Sequence, residues 1–129
     1  EIVSVPGASA VFRGSIVAYD SMLKNDLLGV DASLLASTGA VTAEVAGAMA
    51  EGALARLGVD VAVATTGVAG PDPDPVSGEA PGAVFIAVAG GRLGTLVREM
   101  SLEGDRDEIR QRATRAALQA LLDGLSTRE

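Results

Sequence analysis

The sequence of 129 residues contains no cysteine and no histidine. Those two absences exclude a disulfide framework, a zinc finger, a thiol nucleophile and an imidazole acid–base pair within the chain. Aromatic residues are almost as scarce: Phe12, Tyr19 and Phe85 are the full set. Three rings cannot stack a run of bases, and a net charge of −7 gives no electrostatic footprint for a polyanion, so no nucleic-acid partner is expected. No apolar run is long enough to span a bilayer, and no basic stretch followed by an apolar one marks a signal peptide. The expectation is a soluble cytoplasmic domain with no membrane partner. Lysine and tyrosine occur once each, at Lys24 and Tyr19, close together in the chain. What the chain has in abundance is small residues, with 23 alanines and 16 glycines, so its core must pack closely through them. Its length suits one domain, over residues 1–129.

The chain alternates between strand-like and helix-like patterns. Residues 12–19 read as a strand centred on Ile16 and Val17, and Ser21 to Leu28 as a short helical or irregular stretch ending at Gly29. Asp31 can cap a turn running to Leu35. Thr42 can cap the clearest helix, in which Val45, Met49, Ala53 and Leu57 recur before Gly58. The run from Asp60 to Thr66 and the run from Gly82 to Ala89 have the continuous apolar character of strands covered on both faces. Gly90-Gly91-Arg92 allows a hairpin into an alternating edge strand, residues 96–101. Asp105 opens the last helix, with Glu108 completing an acidic form of the capping box. The order implies an α/β fold with a mixed sheet, and a long Pro/Asp/Gly-rich loop, Gly67 to Pro81, follows a strand end where ligands bind in open α/β sheets.

Three clusters can carry chemistry. In Y-D-S-M-L-K, Tyr19 to Lys24, a phenol and an amine can together move a proton if burial lowers the lysine pKa; the alternative is a surface lysine beside a half-buried tyrosine. In T-T-G-V-A-G-P, Thr65 to Pro71, glycines let backbone N–H groups approach an anion or carbonyl, or they form an ordinary turn before a proline. In G-D-R-D-E-I-R, Gly104 to Arg110, Arg106 stands against the helix dipole, which is unfavourable unless something negative lies there. Helix N–H groups and an arginine fork make a monophosphate site, or the arginines pair with neighbouring carboxylates. Asp72, Asp74 and Glu79 invite a metal reading, but their spacing fits no cage, and no metal or cofactor is expected.

These clusters, with P-G-A-S-A-V-F-R-G-S-I-V-A-Y-D-S-M-L-K, L-L-G-V and T-G-A-V-T-A-E-V-A-G-A-M-A-E-G-A-L, resemble in order and spacing the CinA C-terminal domain family, over nearly the whole chain. That family includes bacterial nicotinamide-nucleotide amidohydrolases (PncC). The resemblance implies a three-layer α/β/α sandwich with a mixed, mostly parallel sheet. It implies hydrolysis of the carboxamide of nicotinamide mononucleotide (NMN) to nicotinate mononucleotide and ammonia, in pyridine-nucleotide salvage and NAD metabolism, without a metal. On this resemblance Tyr19 and Lys24 are the proton-transfer pair that activates a serine. Thr66, Gly67, Val68, Ala69 and Gly70 form the substrate loop, and Arg106 and Arg110 meet the phosphate. A homodimer is the oligomeric state the resemblance implies.

The sequence departs from the family in two places. Family members carry an A-E-S-C-T-G-G segment whose serine is the nucleophile, and this motif does not occur here. The expectation is therefore a domain truncated at its N-terminus, lacking a first strand and most of a helix, inactive as it stands and poorly stable unless the open edge is covered. The family's usual Asn in Y-S-N is also replaced, since Asp20-Ser21-Met22 follows Tyr19, and a carboxylate at Asp20 would raise the Lys24 pKa. The alternative reading is a non-catalytic ligand-binding or oligomerisation domain of a competence/damage-inducible CinA-type protein.

Overall fold

Short-range capping decides where the helices begin. In the computed structural model, which describes residues 1–126, the Asp20 carboxylate accepts the Met22 N–H at 2.8 Å and opens helix α1, Ser21–Leu28. Asp31 accepts from Ser33 and Leu34 at the start of α2, Ala32–Thr38, and Thr42 accepts from Val45 at the start of α3, Ala43–Leu57. Three strands follow, β1 (Val61–Gly67), β2 (Ala83–Gly90) and β3 (Thr95–Ser101), and then the long helix α4, Arg106–Ser126. At the head of α4 the Glu108 N–H donates to the Asp105 carboxylate at 3.0 Å and the Asp105 N–H donates to Glu108 at 2.8 Å, the reciprocal box expected there.

The architecture is the expected three layers. Phe85, Ala87 and Ala89 of β2 point into a buried cluster with Val45, Ala46, Met49 and Ala50 of α3, and Val84, Ile86 and Val88 point into a second with Ile109, Ala117 and Ala120 of α4. A strand with helices on both faces is apolar at every position, which is why β2 reads as a continuous run. Helix α1 lies against α3, and the approach is so close that a Cβ on Gly52 would collide with the Leu28 carbonyl.

Two expectations need correction. The sheet is described by three strands in the order β1-β2-β3, and both pairings are antiparallel, not mostly parallel. The residue types report cover on two faces, which is independent of strand direction; direction is set by the connections. Here the loop of residues 68–82 and the turn at Gly91–Leu93 return the chain as hairpins. Residues 12–19 run extended, and their exposure alternates as a strand's would, ending with Ala18 buried and Tyr19 exposed. They pair with none of the three strands, however, so the expected first strand is an unladdered extended segment. Alternation records a pleat with one covered side and says nothing about a partner.

Among the described residues no helix is long and apolar enough to cross a membrane. The domain expected over 1–129 extends three residues beyond those described.

Candidate active site

Lysine 24 is the unusual group. The Asp20 cap starts α1 at a phase that turns Lys24 inward, where it is 6% exposed. Its Nζ donates to the Ala18 carbonyl at 2.7 Å and to the Tyr19 carbonyl at 3.4 Å, and among the described residues none of its hydrogen bonds goes to a carboxylate. Burial pushes its pKa below the usual lysine value; the charge on Asp20 pulls the other way but is the smaller influence. The expected opposition from Asp20 is thus present and outweighed. Tyr19 behaves differently from the expectation. The residue is 85% exposed, and it is the main-chain carbonyl, not the phenol, that meets the amine. In an extended segment neighbouring side chains face opposite ways, so an inward Ala18 turns Tyr19 outward.

At the end of β1 the two threonines divide in the same manner. Thr66 is buried, and its hydroxyl donates to the Ala40 carbonyl at 2.7 Å, which ties β1 to the turn before α3. Thr65 faces the other way and lines an open cleft. The loop after β1 is closed at its neck, where Val68 N–H donates to Ala83 at 2.9 Å and Gly82 N–H donates to Val68 at 2.7 Å. Val68 is buried in the same cluster as Ala18, so the loop root and the carbonyl that holds Lys24 share one core. The N–H groups of Ala69 and Gly70 have no hydrogen-bond partner among the described residues. Further along, Asp74 accepts from the Ser77 N–H at 2.6 Å and the Ser77 hydroxyl at 2.7 Å, which holds its carboxyl below the usual range. That carboxylate is therefore engaged within its own turn. Among the described residues no group of three or more acidic side chains could hold a metal ion.

The first arginine of α4 reaches back to this loop: Arg106 Nη1 donates to the Gly70 carbonyl at 2.7 Å. One turn on, Arg110 makes a 3.5 Å pair with exposed Asp107 and lines the cleft. The cleft, of about 630 Å³, runs between α4 and the extended segment, with Phe12, Ser15, Thr65, Arg110, Ala113 and Thr114 among its walls. Of its hydroxyls, Thr65 opens the T-T-G-V-A-G-P cluster but was given no role of its own, and Ser15 and Thr114 were given none from sequence. Only Thr65 had a signal there, as the neighbour of Thr66 on a strand of period two.

The profile of the CinA C-terminal domain matches residues 1–125. The chain belongs to that family. A CinA-like protein of Frankia casuarinae is 46% identical over 131 residues, covering 99% of this chain and 30% of that protein. A CinA-like protein of Mycolicibacterium gilvum is 45% identical, covering 93% of this chain and 28% of that protein. The chain thus spans about 30% of the length of the curated relatives it matches. Among solved structures, the competence damage-inducible protein A of Klebsiella pneumoniae superposes with a TM-score of 0.90 at 30% identity, covering 97% of this chain and 76% of that one. The competence/damage inducible protein CihA of Agrobacterium tumefaciens gives 0.86 at 37% identity, with 94% and 73% coverage. The CinA assignment covers the buried lysine, the loop after β1 and the arginine-bearing start of α4 in one matched stretch. This is a CinA-family domain of the competence/damage-inducible type.

Proposed function

We propose that this CinA C-terminal domain is a nicotinamide-nucleotide amidohydrolase domain, acting on the carboxamide of NMN. One observation carries the reading: the single lysine is a buried amine bonded to two main-chain carbonyl oxygens, its pKa lowered by burial. Such an amine lies closer to its neutral form, the form able to take a proton from a hydroxyl nucleophile. The hydroxyl oxygen attacks the carboxamide carbon as its proton passes to Lys24. The C–N bond then breaks, the proton returns to nitrogen, and ammonia leaves. Water hydrolyses the resulting ester, restoring the hydroxyl and giving nicotinate mononucleotide. The unpartnered Ala69 and Gly70 N–H groups suit the developing oxyanion, and Arg106 and Arg110 suit the phosphate. Tyr19 contributes its carbonyl, which steadies the amine.

The serine of the A-E-S-C-T-G-G motif is not in these 129 residues, and the experiment uses that fact. Ammonia release from NMN should stay at background for the 129-residue chain and appear when the chain is joined to a family segment carrying the motif. In the joined chain, Lys24→Ala should lower the rate by about 100-fold or more. An active Lys24→Ala variant refutes the assignment. A second reading, a non-catalytic ligand-binding domain, is favoured by the exposure of Tyr19. It predicts that the joined chain binds NMN and releases no ammonia.

A further inference from the structure

The two arginines at the start of α4 have unlike surroundings. Arg110 has one long pair with a solvent-exposed aspartate and faces the cleft. Arg106 instead bridges 36 residues of sequence to the Gly70 carbonyl at 2.7 Å. Both ends of that bridge are fixed. The Asp105–Glu108 box holds the first turn of α4, so the arginine stem leaves from a defined point. Gly70 has a φ of +85°, which favours glycine, and a Cβ there would stand 2.9 Å from Pro81 Cβ. A side chain at residue 70 would therefore meet Pro81, and the Gly70 carbonyl faces the guanidinium.

We propose that Arg106 is the positioning residue of the Thr66–Gly70 loop, and that Arg110 is the arginine left to meet the substrate's phosphate. This rests on the amidohydrolase reading and refines it by dividing two residues that reading treats alike. A charge-assisted bond to a carbonyl also accounts for an arginine placed against the helix dipole, with no anion required. Its effect is to hold the turn bearing the Ala69 and Gly70 N–H groups in one orientation before any ligand arrives, which is how preorganised donors act.

The test has two readouts on the 129-residue chain. Without ligand, Arg106→Ala should raise amide hydrogen exchange in residues 67–82 by about tenfold, while α3 and β2 stay protected and Arg110→Ala changes nothing there. Titration with NMN and with its phosphate-free riboside then separates the roles. Arg106→Ala should weaken both ligands by the same factor. Arg110→Ala should weaken NMN by about tenfold and the riboside by less than about twofold. Unchanged loop exchange in Arg106→Ala overturns the proposal, as does an Arg106→Ala penalty confined to NMN, the behaviour of a phosphate ligand. If the unmodified chain binds neither ligand, the functional reading fails, and loop exchange still decides the role of Arg106.

Discussion

One strand, β2, serves both faces of the sheet, and the faces are closed in different ways. Toward α3 its side chains meet a helix of alanines and glycines, and Ala87, Ala46, Ala50 and Val45 are fully enclosed. Toward α4 they meet a helix whose outer positions carry arginines, glutamine and aspartate, and the cluster is smaller. There an open cleft runs along the helix, with a second crevice of about 100 Å³ between its far end and β2 and β3. The α3 face holds the buried amine, and the α4 face holds the exposed guanidiniums. The difference separates two tasks. A lysine must lose water to have its proton affinity changed, so it belongs where packing is tight. An arginine keeps its charge anywhere, so it can stand at an open rim and recognise shape.

The closed face should be the harder to alter. Gly52→Ala puts a methyl group into the Leu28 carbonyl, and relief requires α1 to move off α3, taking Lys24 with it. A loss of about 3 kcal/mol is expected in urea unfolding. A loss under about 1 kcal/mol would mean that α1 is not seated tightly on α3, and the contrast between the faces would weaken.

Much of this scaffold was legible because local chemistry determines it. Thr42 and Gly58 bound α3, and Asp105 with Glu108 starts α4, through contacts within a few residues. The three strands lie within a residue of their expected places, since β-branched and apolar runs follow the pleat. What failed depends on partners distant in sequence. Residues 12–19 have a strand's alternation without a ladder, and strand direction followed the hairpins, not composition. In the candidate site, the sequence singled out Lys24 and Tyr19 together, but their depths are reversed relative to a surface lysine beside a half-buried tyrosine. That Thr65 and not Thr66 lines the cleft needed the strand's orientation, and the link from Arg106 to Gly70 needed the assembled fold.

The amine offers a subtler probe of the closed face. Its pKa is lowered in the folded chain, so below that lowered value both folded and unfolded states carry the proton, and burying the charge weakens the fold there. As pH rises through the lowered value toward the unperturbed 10.5, the folded state releases its proton first. The unfolded state then binds more protons, and stability rises with pH across that window. Lys24→Met lacks this term. Urea titrations from about pH 7 to about pH 10 should show the stability difference moving in favour of the unmodified chain as pH increases. A difference independent of pH would mean that the amine is not desolvated.

The smallest effect is expected on the open face, where its smallness is the point. Ala113 is partly buried, packs beside Ile109 and Ala117, and borders the cleft of about 630 Å³. A leucine there adds three carbons with free space to enter, so Ala113→Leu should change stability by under about 0.5 kcal/mol, far from the overpacking cost expected at Gly52. The added side chain would narrow the cleft beside Arg110, so weaker binding of NMN with unchanged unfolding is the expected pairing. A loss of about 2 kcal/mol in Ala113→Leu would instead show that α4 is packed as closely as α3. The division of labour between the two faces would then have to rest on charge alone.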